Sequence, residues 1–289
     1  MDGSIRKWSL DISSPDLGKS CLDLKGHNGS VNRLQLEGSL LFSSSYDRTA
    51  KCWSADTGEC LRTFSGHRGS IYPLLYMPKS TEDTETDQTD LQNNHDFLVT
   101  GSADCNARLW ALSSKKTIRI FTGHDGTILT LGSDSAHKTL YTGSTDHTIC
   151  AYNMLNGEKI CKFTGHKGIV VEIKIVNRLM FSSSADHTVK CWLIGDGEFQ
   201  GHLMRTYVGH THTISALTLF DKYLITGSGD TTVRVYDAKD GRCRKVLKGH
   251  TATINKIIVN ELEEKLYSAS NDSTVRVWNW KTIVDDITK

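Results

Sequence analysis

GHKGIVVEIKIVNRLMFSSSADHTVKCW, residues 165–192, carries four landmarks: the pair Gly165-His166, the hydroxyl of Ser182, the turn aspartate Asp186 and the aromatic Trp192. The hydroxyl stands four residues before the aspartate and the aromatic stands six after it. The same offsets recur in five other places. His27, Ser43, Asp47 and Trp53 form the first set, and His67, Thr100, Asp104 and Trp110 the second. His124, Thr142, Asp146 and Tyr152 follow, then His166 with the quoted stretch. His210, Thr226, Asp230 and Tyr236 come next, and His250, Ser268, Asp272 and Trp278 close the series. Each His is preceded by Gly, and the spacings between the pairs are 40, 57, 42, 44 and 40. Six repeats keeping three offsets exclude coincidence, and a period near 40 marks a repeat architecture.

Between landmarks the chain reads as short strands. Leu40–Ser43 leads into a turn at Tyr46-Asp47-Arg48, and Thr49–Trp53 leads out of it. Val233–Tyr236 and Val275–Trp278 have the same β-branched and aromatic character. Leu61–Phe64 and Met204–Tyr207 supply one more strand before a Gly-His pair. The reading is four strands per repeat, with no room for helices. Only 3 prolines interrupt it, at Pro15, Pro73 and Pro78.

These residues closely resemble the WD40-repeat family of β-propellers, over nearly the whole chain. The resemblance implies an all-β fold: four-stranded blades around a central channel. The dipeptide that ends each repeat departs from the family's Trp-Asp, as in Trp53-Ser54 and Tyr236-Asp237. The resemblance also implies that His, Asp, hydroxyl and aromatic of each repeat form a buried hydrogen-bonded chain. The aspartate accepts from the imidazole, and the indole N–H reaches the hydroxyl. Where Tyr152 and Tyr236 replace Trp, the phenol must reach the same hydroxyl or the chain is one link short. Six equivalent sets indicate a structural staple rather than six hydrolase triads.

The ends of the repeat series are irregular. Asp2 and Trp8 are also six apart and match the turn aspartate and aromatic of an earlier repeat. Residues 1–25 therefore read as a partial first blade, followed by six complete four-stranded blades. Thr282–Ile287 is the expected last outer strand. The whole of 1–289 reads as a single propeller domain: a seven-bladed ring with one half-blade, a fragment of a longer propeller, or a six-bladed ring with a spare hairpin. The fragment is the favoured reading.

In the family, the Gly-His loops and aspartate turns lie on the top of the ring. The resemblance therefore points to top-loop side chains as binding candidates: Tyr46, Arg48, Arg68, His147, Lys167, His187 and Asn271. Asn28, Asp125, His212, Thr231 and Ser273 lie in the same loops. Tyr46, Arg48 and Arg68 lead, because aromatics and arginine anchor interfaces. His147 and His187 follow turn aspartates at equivalent positions, and a metal role for them is set aside; no metal or cofactor is expected. Family members that read phosphorylated peptides place Arg just before the turn aspartate. Here those positions hold Tyr46, Ala103, Thr145, Ala185, Gly229 and Asn271.

The out-of-line spacing contains residues 79–96, with Glu82, Asp83, Glu85, Asp87, Asp90 and Asp96 against Lys79. This acidic insertion is expected to be disordered and to lie on the bottom of its blade. The sharper reading makes it a docking tag or a phosphorylation segment. The shorter loop Ile194–His202 falls on the same side.

Composition narrows the function classes. The 289 residues carry 34 Lys and Arg against 33 Asp and Glu, a net charge of +1. A nucleic-acid partner is disfavoured on that balance. No run of 18 apolar residues and no signal-peptide core occur. The eight cysteines form no Cys-x-x-Cys pair and read as small buried residues of a reducing compartment, cytoplasmic or nuclear. No Gly-x-x-x-x-Gly-Lys loop and no Gly-x-Ser-x-Gly elbow occur. The expectation is a non-catalytic, monomeric protein-interaction scaffold that works within a complex and binds proteins or peptides. The alternative is a substrate-receptor subunit of a ubiquitin ligase. An enzyme would need convergent carboxylates, histidines or metal ligands in the channel.

Overall fold

The computed structural model describes residues 3–8, 19–78, 96–195 and 201–288. Asp2, residues 79–95 of the acidic insertion and residues 196–200 of the shorter loop lie outside them.

Strands β1 (Ile5–Trp8) and β2 (Ser20–Leu24) form a two-stranded sheet. Five four-stranded sheets follow, each in chain order. The first holds β3 (Val31–Glu37), β4 (Leu40–Ser45), β5 (Thr49–Ser54) and β6 (Cys60–Ser65). The second holds β7 (Ile71–Met77), β8 (Phe97–Ser102), β9 (Ala107–Ala111) and β10 (Thr117–Phe121). The third holds β11 (Ile128–Ser133), β12 (Thr139–Ser144), β13 (Ile149–Asn153) and β14 (Lys159–Phe163). The fourth holds β15 (Val170–Val176), β16 (Leu179–Ser184), β17 (Val189–Leu193) and β18 (Leu203–Tyr207). The fifth holds β19 (Ile214–Phe220), β20 (Tyr223–Ser228), β21 (Val233–Asp237) and β22 (Cys243–Leu247). Three strands make the last sheet, β23 (Ile254–Asn260), β24 (Lys265–Ser270) and β25 (Val275–Asn279), and helix α1 (Trp280–Thr288) follows. The fold class is thus all-β, of the repeated-blade type.

The chain divides into two compact units. One comprises Met1–Leu131, His137–Thr142 and Tyr152–Ile160; the other comprises Gly132–Ala136, Gly143–Ala151 and Cys161–Lys289.

In both units the core lies between neighbouring sheets. In the first, Phe42, Ala50, Cys52 and Phe64 meet Ile71, Tyr76 and Leu98 of the next sheet. In the second, Val189 and Cys191 meet Ile214, Leu217 and Leu224. Val233 and Val235 meet Ile254, Ile257 and Leu266 there. Each Val, Leu, Ile or Phe so buried contributes about 1.5–3 kcal/mol. Strand β13, Ile-Cys-Ala-Tyr-Asn, is buried at four successive positions, so both of its faces are covered.

Two expectations need correction. The segment expected as a last outer strand is helical. Trp280, Ile283, Val284 and Ile287 recur at the helical period and pack with Phe220, Tyr223 and Leu247. Asn279 Oδ1 accepts from Thr282 N at 3.2 Å, an N-cap. The last of the six blades therefore has three strands. The cysteines are all free thiols, but only Cys52, Cys150 and Cys191 are buried, while Cys21, Cys60 and Cys243 are exposed.

Candidate functional site

The turn aspartates organise one end of every repeat. His27 Nδ1 lies 2.8 Å from Asp47 Oδ2, and its Nε2 lies 2.7 Å from Ser43 Oγ. Trp53 Nε1 donates to the same Ser43 Oγ at 2.8 Å. Proton count fixes the direction of the chain. The indole donates to Ser43, Ser43 donates to Nε2, and Nδ1–H donates to Asp47, so the imidazole is neutral. Burial lowers the His27 pKa, against the opposing pull of Asp47. Burial pushes the Asp47 carboxyl up, but hydrogen bonds from Thr49, His27 and Asn28 outweigh it and hold it at about 2.

The set repeats with little variation. His67 contacts Asp104 and Thr100 at 2.8 Å each, and Trp110 donates to Thr100 at 2.8 Å. His166 meets Asp186 at 2.7 Å and Ser182 at 2.8 Å, with Trp192 on Ser182. His250, Asp272, Ser268 and Trp278 do the same. His124 meets Thr142 at 2.7 Å. In the fifth repeat His210 reaches Asp230 and Thr226, but the Tyr236 phenol bonds the Arg234 guanidinium. The distances match a hydrolase triad, yet Ser43 Oγ is fully buried and already accepts an indole proton. An acyl substrate has no access to it.

Sequence reading overlooked two further positions in each turn. A serine two residues before the aspartate (Ser45, Ser102, Ser144, Ser184, Ser228 or Ser270) accepts from the aspartate's backbone N–H at 3.0–3.1 Å. Two residues after it, the Thr49 hydroxyl donates to Asp47 Oδ1 at 2.6 Å, as Thr148, Thr188, Thr232 and Thr274 do to theirs. Both were legible as recurrences, the serine in six repeats and the threonine in five, with Asn106 in its place in the second. The residue directly after each aspartate takes a left-handed backbone, with φ of 68° at Arg48, 70° at His147 and 71° at Thr231. The glycine of each Gly-His pair has a steric reason: at Gly66, φ 149°, an added Cβ would meet the Trp110 ring at 3.3 Å.

The binding candidates all lie exposed on these loops. In the first unit the structure joins Tyr46, Arg48 and Arg68. Ser70 Oγ donates to Tyr46 O at 3.3 Å, tying the loop after Arg68 to the turn before Arg48. Tyr72, which sequence reading did not select, packs edge-on against Tyr46 at 5.6 Å. The Tyr72 hydroxyl donates to Tyr46, and that bond, with burial, raises the Tyr72 pKa. Ser44 Oγ bonds Tyr72 O at 2.7 Å and holds the pair in place. The Arg48 and Arg68 guanidinium groups meet no acceptor among the described residues.

In the second unit, Lys167 and His187 flank Asp186, whose Oδ2 accepts from Lys167 N at 2.9 Å. The His187 ring stacks on His212 at 6.1 Å, another contact absent from the sequence reading. Asn271 Oδ1 accepts from Asn255 Nδ2. His147 lies exposed on its own turn, with the same left-handed backbone. Glu172, buried on β15, accepts from Leu217 N at 2.8 Å and Lys256 Nζ at 2.5 Å, so it braces the first strands of three sheets. Among the described residues, no helix is long and apolar enough to cross a membrane.

Closed staples beneath exposed loops define a blade-repeat protein that presents its loops as a surface. The chain belongs to the WD domain, G-beta repeat family, whose model matches residues 18–54, 79–111, 115–153, 157–192, 201–237 and 241–279. The repeat implies a protein–protein interaction scaffold. An uncharacterised WD repeat-containing protein of Schizosaccharomyces pombe is 26% identical over 94% of this chain and 72% of its own length. Nuclear distribution protein PAC1 of Arthroderma otae is 25% identical over 80% of this chain and 45% of its own length. A protein of Emericella nidulans named "Probable E3 ubiquitin ligase complex SCF subunit sconB" is 26% identical over 40% of this chain and 24% of its own length. The chain thus spans less than half of the latter two.

Proposed function

We propose that the chain is a non-catalytic scaffold that binds a protein or peptide through the Tyr46–Tyr72 pair and the flanking Arg48 and Arg68. The carrying observation is that this aromatic pair is held in place by Ser44 and Ser70, while the same two loops carry Arg48 and Arg68, both exposed and with guanidinium groups that meet no acceptor among the described residues. A pre-ordered aromatic surface loses little entropy on binding, and arginine adds directional donors. The working compartment is cytoplasmic or nuclear, and a protein partner is favoured over nucleic acid by the near-neutral charge.

The test is a pull-down compared between the native chain and the Arg48→Glu/Arg68→Glu chain, both checked for folding. Loss of the captured partner is expected. Retention moves binding to another surface and overturns this assignment. A second reading, a substrate-receptor subunit of a ubiquitin ligase, takes support from the named role of the Emericella nidulans relative. Co-purification of ligase subunits with the chain is its test.

A further inference from the structure

The sequence holds two Asn-Gly pairs, Asn28-Gly29 and Asn156-Gly157. At such a pair an asparagine side chain can close on the next backbone nitrogen, because glycine has no Cβ to block the approach. The fold puts the two pairs in opposite settings. In the turn between β13 and β14, Asn156 is locked. Its Nδ2 donates to Glu158 Oε2 at 2.7 Å, and its Oδ1 accepts from Glu158 N at 2.9 Å. Gly157 N, the atom that has to attack, donates to Asn153 O at 2.9 Å.

In the loop between β2 and β3, Asn28 is exposed and held only by its backbone, through Asn28 N on Asp47 Oδ2 at 2.9 Å. Among the described residues, the Asn28 side-chain amide meets no partner and the Gly29 N–H meets no acceptor. Ser45 Oγ donates to Gly29 O at 3.1 Å, which seats the glycine without engaging its nitrogen. The fold also demands glycine there. A Cβ at position 29 would meet Asp47 N at 2.9 Å and the Tyr46 carbonyl carbon at 3.3 Å. Gly69 and Gly168 hold the same place, and a Cβ on them would meet Asp104 N and Asp186 N at 2.7 Å. The residue after the repeat histidine is elsewhere Arg68, Asp125, Lys167, Thr211 or Thr251, so asparagine stands there only in the first repeat.

We propose that Asn28 is a spontaneous deamidation site of the folded protein, and that the fold protects Asn156. Gly29 N attacks Asn28 Cγ, and the new C–N bond closes a succinimide ring. The Cγ–Nδ2 bond breaks, and ammonia leaves with the proton from Gly29 N. Water then opens the ring at either carbonyl and leaves an aspartyl or an isoaspartyl residue at position 28. Nucleophile and electrophile are neighbours in one chain, so the reaction needs no enzyme. The product changes the loop in two ways. It puts a carboxylate on a surface, residues 25–30, 45–49, 66–71 and 102–106, whose only acids, Asp47 and Asp104, are spent inside the staples. The isoaspartyl form also lengthens the backbone by one methylene just ahead of Gly29, which is packed too closely on the Tyr46-Asp47 turn to yield.

The test is peptide mapping by mass spectrometry after incubation in heavy-oxygen water at mildly alkaline pH. Ring opening during the incubation writes the label into the affected position. The native chain is compared folded and in guanidinium chloride, with Asn28→Gln as the control for the first site. In the folded chain, label at position 28 is expected to outrun label at position 156 several-fold. In guanidinium chloride the two rates are expected to approach each other, because only the fold separates them. Folded Asn28→Gln is expected to lose the label at position 28 and to leave position 156 unchanged. A folded chain in which Asn156 is labelled as fast as Asn28 overturns the proposal, as does one in which Asn28 stays unlabelled while guanidinium chloride exposes both. The same several-fold lead of Asn28 in guanidinium chloride also overturns it, since the local sequence then sets the rates.

Discussion

Asp47 shows how much one carboxylate does in this protein. It accepts from His27 Nδ1, from Asn28 N and from Thr49 through both its amide and its hydroxyl. Replacing it by alanine leaves a buried imidazole N–H without an acceptor. Asp47→Ala is expected to cost about 1–3 kcal/mol, read from the denaturation midpoint. The left-handed residue after each aspartate runs the other way. Thr231 is β-branched at φ 71°, a conformation that costs a non-glycine residue about 1–2 kcal/mol. Asparagine tolerates it better through its short polar side chain. Thr231→Asn is expected to raise stability by about 0.5–1 kcal/mol, seen as a higher Tm. Arg48 and His187 hold the same backbone, which directs these two binding candidates away from the staple.

Helix α1 was legible but misread. Thr282–Ile287 follows an aromatic exactly where earlier repeats start a turn and a fourth strand, so the repeat pattern argued for β. The local signals argued for a helix: Asn279 as cap and Trp280, Ile283, Val284 and Ile287 on one face. Local periodicity prevailed because Phe220 and Tyr223 offer an aromatic surface, with Trp280 at 5.2 and 5.6 Å from their rings. Trp280→Ala is expected to cost about 3–5 kcal/mol and to lower the Tm. Asn279→Ala removes only the cap, about 1 kcal/mol. If the two variants cost the same, α1 is not held by its aromatic contact.

Acid should weaken the fold in two stages, because the shifted histidines and aspartates of the staples respond to pH with the same sign. His27, His67 and His210 are held below the ordinary value of 6.5 by burial. The unfolded chain takes up these protons first, so stability falls as pH drops below about 6.5. Asp47 and Asp230 titrate at about 2, below the 3.8 of the unfolded chain. Their contribution is complete above the unfolded value and is lost as pH falls from 3.8 through about 2. The expected Tm profile declines from near neutrality and steepens below pH 4; a Tm that rises toward pH 5 contradicts it. Glu172→Gln keeps the shape of the brace and removes its charge. It is expected to cost about 1–3 kcal/mol, with the loss shrinking at high salt.

The offsets of hydroxyl, aspartate and aromatic determined the family, the strand order within each repeat and the residues of each staple. They could do so because these contacts are short-range or recur with the period, and a sixfold repetition exposes any position under common constraint. Ser45 and Thr49 belonged to that legible set and were passed over. Other features depended on which side chains meet across sheets. Tyr72 beneath Tyr46, His212 on His187 and Glu172 reaching Lys256 occur in one repeat each, so no periodicity announced them. The exposure of Trp8 on β1 is of the same kind. Trp8 and Trp53 are the same residue type at the same strand register, yet one is 52% exposed and the other fully buried, because burial depends on which neighbouring strands cover a side chain.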